Sequence, residues 1–236
     1  MDHDLIIIVD AKAKETMINK LFHRLKIRIL LAIKPVAFFE SLNQLGWYQQ
    51  TLRDWIRHNN LPSNSKILEV GCATGTLSRY ISSLKHDSTG VDLSESMITA
   101  AQKNNPNIPF HIADVNKLPF ESESFDTVIS ASLLNIVTDR EGAVKEMIRV
   151  CKSGGIISIL VPLASFNDSN LNTLKSSLQV TGFSLEALRT WHKLGPKMTV
   201  SEVNDLLEKF ELKTQKPKKY LNGMVFSITA IKVSLL

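Results

Sequence analysis

Cysteine is nearly missing from this sequence: Cys72 and Cys151 are the only two among 236 residues. Two thiols cannot make a disulfide framework or a four-cysteine zinc site. Long apolar runs are missing as well. Runs such as Leu5-Ile6-Ile7-Ile8-Val9 fall far short of the ~18–20 residues of a membrane span. There is no internal repeat and no low-complexity tract. The 44% hydrophobic and 22% charged fractions are ordinary, so disorder, collagen and coiled coil are excluded as overall descriptions. The opening Met-Asp-His-Asp is acidic where a secretory signal would be basic, and a cytosolic enzyme is the expectation. A net charge of +5 permits an acidic partner without demanding one. The length fits one large domain, or one domain with an appendage, and buries a core without staples.

What is there, from Lys66 to about Val161, is strict alternation of short apolar runs and amphipathic stretches. Strands are predicted at Ile67–Val70, Ser88–Val91, Phe110–Ala113, Thr127–Ser130 and Ile156–Val161. Between them lie helices at Thr76–Leu84, Glu95–Lys103 (with Ser94 as N-cap) and Arg140–Cys151, and a turn at Ser153-Gly154-Gly155. Such alternation argues a parallel sheet covered by helices on both faces. Residues 1–60 read as mostly helical, with a strand at Leu5–Val9. After Val161 an irregular, polar stretch runs to Lys197. Thr199-Val200-Ser201-Glu202 is then a capping box opening a helix over Glu202–Lys209. Phe210–Thr214 and Val225–Val233 follow as an antiparallel hairpin closed by the turn-rich Lys216–Gly223.

The segment Ile67-Leu68-Glu69-Val70-Gly71-Cys72-Ala73-Thr74-Gly75 carries the chemistry. A strand enters a glycine-flanked turn and then a helix, whose N-terminus is partly positive. A dinucleotide fingerprint wants a further glycine where Ser78 stands, and a phosphate-binding P-loop wants a Gly-Lys-Ser/Thr that does not follow. The shorter E-x-G-x-x-x-G loop fits. The second strand ends at Asp92, 21 residues after Gly71, where a carboxylate can accept two ribose hydroxyls. The third ends at Asp114-Val115. Ligands of open α/β sheets sit outside these strand ends.

With those residues in view, the chain resembles the class I S-adenosylmethionine-dependent methyltransferases, closest to the small-molecule branch of quinone-biosynthesis type (methyltransferase type 11). The matching text is ILEVGCATGTLS, GVDLSESMITAA, ADVNKLPFESESFDTVIS and EMIRVCKSGGIISI, in order from Ile67 to Ile159. The family's middle glycine is Ala73 here; only Gly71 and Gly75 are expected to need unusual backbone.

The resemblance implies an α/β, Rossmann-like, seven-stranded, mostly parallel sheet with helices on both faces and an antiparallel last strand. It implies a helical N-terminal extension or lid over 1–60. A methyltransferase domain over 61–236 then carries an insert at about 163–198 that covers the pocket. It assigns S-adenosyl-L-methionine as cofactor. Glu69 would face its amino group, and Gly71, Cys72, Ala73 and Gly75 would pass along the methionine moiety. Asp92 would hold the ribose, Leu93 and Met97 would flank the adenine, Asp114 and Val115 would meet its edge, and Ser130 would lie near the sulfonium. The acceptor implied is a small molecule, methylated at O, N, S or C by direct displacement, with no metal and no nucleic acid. The sequence has no obligatory catalytic constellation.

Outside the core motifs, Tyr48, Asn135, Trp191 and His192 are substrate-side candidates, with His192 the one that could accept a proton near neutral pH. Each has a plainer structural reading. The N-terminal and late segments are expected to flank one cavity beside Ser130 and Asn135. Met17–Ile33 is amphipathic, with Met17, Ile18, Leu21, Phe22, Leu25, Ile29 and Ile33 on one face and a basic row of Lys20, Arg24 and Arg28. Such a helix packs on its own domain or lies on an anionic membrane; packing is the expectation. Lys213, Lys216, Lys218 and Lys219 form a second basic cluster on the expected hairpin. Rival readings are an RNA or protein methyltransferase and a non-catalytic cofactor-binding partner protein. No Asn-Pro-Pro-Tyr-type loop follows the fourth strand, where Ser130-Ala131-Ser132-Leu133 stands.

Overall fold

The computed structural model describes residues 19, 21–30 and 32–233. The expected strand at Leu5–Val9, and Met17, Ile18 and Lys20 of the first helix, lie outside them. Strand–helix alternation builds the chain around one sheet. Helix α1 covers 21–30 and 32–33. It is followed by α2 (Pro35–Leu42), α3 (Gly46–His58), β1 (Lys66–Val70), α4 (Thr76–Ser83), β2 (Asp87–Asp92), α5 (Glu95–Asn104) and β3 (Phe110–Ile112). Then come β4 (Phe125–Ala131), α6 (Arg140–Val150), β5 (Cys151–Pro162), α7 (Asp168–Leu178), α8 (Gly182–Leu194) and α9 (Val200–Glu208). The chain closes through β6 (Lys213–Thr214), β7 (Lys218–Tyr220), a 3₁₀ turn at Leu221–Gly223 and β8 (Val225–Ile231).

The sheet order is β3-β2-β1-β4-β5-β8-β6, with β7 also on β8. Strands β1 to β5 pair in parallel, and β8 runs antiparallel to β5. Both β6 and β7 pair with the same edge of β8, Lys213 opposite Ile231 and Tyr220 opposite Val225. They are two pieces of one edge strand, so eight strands fill seven positions. The expected turn over Lys216–Gly223 is shorter than predicted, because Lys218–Tyr220 joins the edge.

Period-two alternation divides the core between the two faces. Ile67, Ile129 and Leu160 meet one cluster with Trp47, Leu52, Trp55, Ile56, Leu77, Ile81 and Leu188. Leu68, Val128, Ile157 and Ile159 meet another with Val144, Met147, Val203 and Leu207. A buried polar knot fastens α3 to the sheet. Trp55 Nε1 donates to Ser158 Oγ at 2.9 Å, and Asn59 Oδ1 accepts from both Ser158 and Thr229, each at 2.9 Å.

Two expectations are corrected. Ser153-Gly154-Gly155 does not precede β5 but bulges out of it: Phe125 pairs with Cys151 and Thr127 already with Ile156. The stretch after Val161 is not irregular but carries α7 and α8, α7 opened by a capping box between Asn167 and Asn170. Its ends meet at a bridge between Leu163 and Met198. The predicted capping box of Thr199 and Glu202 forms as expected.

Candidate functional site

A cavity of about 1020 Å³ opens at the C-terminal ends of β1, β2 and β4. Its floor is the glycine loop. Gly71, Ala73 and Gly75 adopt φ of +81°, +44° and +76°. The expectation that only the flanking glycines need unusual backbone is therefore overturned at Ala73. That residue stays left-handed because its N–H donates to Asp92 Oδ2 at 2.9 Å; the strain of an L-residue there is about 1–2 kcal/mol. The N–H groups of Gly71 and Cys72 both donate to Val91 O, at 2.8 and 2.9 Å. The loop is thus stitched to the end of β2.

Gly75 needs its missing side chain for another reason. A Cβ there would fall 2.6 Å from the Phe110 ring, and one on Gly90 would meet the same ring at 2.6 Å. Phe110 is wedged under the loop, and Gly75 does not line the cavity.

Asp92 accepts Ala73 N–H on one oxygen and Ser94 N–H on the other, 2.9 Å each. Each oxygen has accepting capacity left, and Asp92 lines the cavity. Glu69 is buried, and Ser78 Oγ donates to its Oε2. Burial, with a smaller contribution from the Asp92 carboxylate, outweighs that bond and pushes its pKa up to about 8. The same burial, and secondarily Glu69, push the Tyr48 phenol far above its ordinary value. Tyr48 is thus a neutral hydrogen-bond donor at the wall. Burial likewise raises the Cys72 thiol, so it is neither nucleophile nor metal ligand. No cluster of metal-binding side chains occurs among the described residues.

Of the sequence candidates, Glu69, Gly71, Cys72, Ala73, Asp92, Leu93, Met97, Asp114, Val115, Tyr48, Asn135 and Trp191 line the one cavity. Ser130 does not: it is buried beneath, its hydroxyl unpartnered, and Ala131 to Leu133 take the surface. His192 does not either. It is buried on the α7 side of α8, with Nε2 3.1 Å from Asp168 Oδ1 and its ring edge-on to Phe166. One residue along a helix turns a side chain by about 100°, which separates His192 from Trp191 and removes it as a base. Asn135 Nδ2 donates to Pro196 O at 3.0 Å, which leaves its buried Oδ1 without a partner.

The N-terminal helices and the late insert do flank this single cavity. Phe38, Phe39, Leu42 and Leu52 enter from α2 and α3, Ala187 and Leu194 from α8. Trp47 and Trp191 stack at 6.0 Å, Tyr48 sits edge-on to Trp191 at 5.7 Å, and Trp47 Nε1 donates to Ser184 Oγ at 2.9 Å. Sequence reasoning missed Asn43, whose Nδ2 donates to Thr74 Oγ1 at 3.0 Å and ties α2 to the glycine loop. It also missed Arg149 and Glu146 of α6. Arg149 donates to the carbonyls of Leu118 and Phe120, and Glu146 accepts Leu118 N–H. The pair grips the loop that follows Asp114–Val115. Neither contact leaves a local sequence signal, because both join segments about 30 residues apart.

The charged residues lining the cavity are Glu69, Asp92, Asp114 and Asp139; no Lys, Arg or His lines it among the described residues. A second, more polar depression of about 740 Å³ lies beside α3 and β7, lined by Asp54, His58, Lys219 and Asn222 among others. It holds none of the glycine-loop residues or acids.

Sheet order, reversed last strand and glycine loop together define the class I methyltransferase fold. Residues 68–159 match the family model described as a methyltransferase domain. The chain is 29% identical over 161 residues to the ubiquinone/menaquinone biosynthesis C-methyltransferase UbiE of Pseudomonas aeruginosa, covering 63% of this chain and 61% of that protein. It is 36% identical over 101 residues to the phosphatidylethanolamine N-methyltransferase of Cereibacter sphaeroides, covering 40% of this chain and 49% of that one. The chain thus spans about half to three-fifths of these relatives. Among solved structures, a SAM-dependent methyltransferase from Aquifex aeolicus superposes with a TM-score of 0.66 at 16% identity, over 84% of this chain and 98% of that one.

Proposed function

We propose that the protein is an S-adenosylmethionine-dependent methyltransferase acting on a small, apolar acceptor that is neutral or cationic. The observation that carries this is the pairing, in one cavity, of a buried Glu69 without a counter-cation and Asp92 at the end of the next strand. The first suits an α-ammonium, the second a ribose diol. Backbone groups from Gly71 to Ala73 run between them, and Leu93, Met97 and Val115 offer an apolar bed for a purine. Asp114 accepts from Asn116 N–H and keeps lone pairs for the purine's exocyclic amine. The cofactor supplies an activated methyl whose leaving group is a neutral thioether.

What the chain supplies is alignment and exclusion of water. Phe38, Phe39, Leu42, Tyr48 and Trp191 wall the space beside the loop. Asn135 Oδ1 accepts a hydrogen bond from the acceptor and cannot take its proton. The acceptor's nucleophile therefore brings its own lone pair. An all-acidic lining repels phosphate and carboxylate acceptors and tolerates amines. One of the two relatives is named for ubiquinone/menaquinone biosynthesis, in keeping with an apolar, uncharged acceptor; the phosphate of phosphatidylethanolamine, for which the other is named, does not match this acidic lining. The organisation as a lid over 1–60 and a catalytic domain over 61–236, and a cytosolic setting, belong to the same reading; the two cysteines are free and buried.

The test uses methyl-labelled S-adenosylmethionine with fractionated cell extract. Label is expected in organic-extractable small molecules. Label confined to RNA or protein would contradict the reading.

A further inference from the structure

Helix α1 does not bury its apolar face. Leu21, Phe22, Leu25, Ile29 and Ile33 are 44–70% exposed and none of them lines the cavity, which overturns, over the described residues 21–33, the expectation that Met17–Ile33 packs that face on the domain and roofs the pocket. The inward side is made by His23, Ile27 and Leu30 instead. Ile27 is fully buried, and His23 lies against Gly182 of α8.

At 100° per residue, Leu21, Leu25, Ile29 and Ile33 form one stripe with Phe22 beside it. Arg24 and Arg28 border one side of this stripe and Lys26 the other. Arg24 pairs with Glu186 at 3.0 Å, and the Lys26 ammonium stands 5.5 Å from the Phe183 ring centroid. Both contacts anchor α1 on α8 while the stripe faces out. From Thr16 to Phe39 the sequence holds Lys20, Arg24, Lys26, Arg28 and Lys34 and not one Asp or Glu.

We propose that α1 lies in the surface plane of an anionic membrane, its stripe in the acyl boundary and its cations among the headgroup phosphates. An apolar stripe bordered on both sides by cations is the pattern of an in-plane interfacial helix. Each such cation near an anionic surface adds to binding, and salt screens it. Among the described residues no helix is long and apolar enough to cross a membrane; the described part of α1 corresponds to about 20 Å, against ~30 Å of hydrocarbon. A second copy of the chain is a poor occupant, since stripe-to-stripe pairing would set the cationic borders of one α1 near those of the other. Helix α1 runs directly into α2, whose Phe38, Phe39 and Leu42 line the cavity. Docking therefore brings an apolar cavity wall to the membrane, and the acceptor is a membrane-dissolved amphiphile. This last clause rests on the methyltransferase reading; the docking does not.

The experiment is flotation of the full chain with vesicles of phosphatidylcholine, with and without phosphatidylglycerol, alongside sedimentation of the lipid-free protein. Expected is binding to the anionic vesicles only, weakened by salt. Leu25→Asp with Ile29→Asp, and separately Arg28→Glu, which touches nothing on α8, should each lower partitioning at least tenfold. Their thermal melts and S-adenosylhomocysteine affinity should stay unchanged, because these side chains are exposed and away from the cavity. Equal binding to neutral vesicles, no binding by a folded chain, or a dimer dissolved by Leu25→Asp would each overturn the docking. Intact docking with no cofactor binding would instead fault the methyltransferase reading alone.

Discussion

Glu69 sets a pH dependence that follows from its surroundings. With a pKa near 8 in the unliganded protein, the carboxyl is mostly protonated at pH 7. An arriving ammonium favours the carboxylate, so binding must expel a proton. The affinity for S-adenosylhomocysteine should rise close to tenfold per pH unit between pH 6 and about 8. Above that, the ligand's own amino group, with an ordinary pKa of about 8, starts to lose its charge. Calorimetry at pH 7 in buffers of different ionisation enthalpy should register release of nearly one proton; Glu69→Gln should abolish it and flatten the acid limb. Release unchanged in that variant would place the ammonium elsewhere. Asp92 does two jobs, because its two oxygens already hold Ala73 and Ser94. Asp92→Ala should cost about 2 kcal/mol of stability from those bonds, read by denaturant titration, and at least tenfold in cofactor affinity. A stability loss with unchanged affinity would reduce Asp92 to a loop anchor.

At the scale of elements, the glycine loop is held by packing as much as by conformation. Gly75→Ala places a methyl at positive φ and against Phe110. The two costs together are about 2–4 kcal/mol. In a Phe110→Leu background the cost should shrink toward the conformational part, and a double-mutant cycle measures the difference. Additive losses would show that Phe110 is not the obstacle. The α3–α8 contact is the other hinge of the site. Trp191→Ala removes two aromatic pairs, about 2 kcal/mol in all. It should impair methyl transfer far more than S-adenosylhomocysteine affinity, since the proposed function assigns Trp191 to the acceptor side. Equal losses in both would contradict its placement. These elements differ in how far the sequence announced them. The β1–α4 loop, the Ser94 cap and the Thr199 box are local patterns whose hydrogen bonds close within a few residues, so spacing alone locates them. Helix α7 was unreadable because its polar, serine- and asparagine-rich text has weak periodicity; α8 follows it closely and is fixed by packing on α3 through Trp47 and Trp191. The Phe110 wedge, Asn43 and the Arg149 grip join distant segments, and no window of sequence contains both partners.

For the whole molecule, the sheet supplies a row of strand ends and the flanks turn that row into a cavity. The acids and the glycine loop were legible because three successive strands end in them. Which flanking residue faces in was not, since a single helical step separates Trp191 at the wall from His192 against Phe166 and Asp168. Likewise the amphipathic pattern of α1 was plain, but the direction of its apolar face was decided by its docking on α8 through Ile27 and Arg24. The central claim is that the cavity over the Gly71–Gly75 loop receives S-adenosylmethionine with its reactive end turned toward the walls from α2, α3 and α8. A crystal structure of the protein saturated with S-adenosylhomocysteine tests it most directly. The account predicts the amino group on Glu69, the ribose hydroxyls on Asp92, and the sulfur facing the space walled by Phe38, Tyr48 and Trp191. Ligand seated in the depression beside Asp54 and His58, or in the cavity with its ribose away from Asp92, would contradict it.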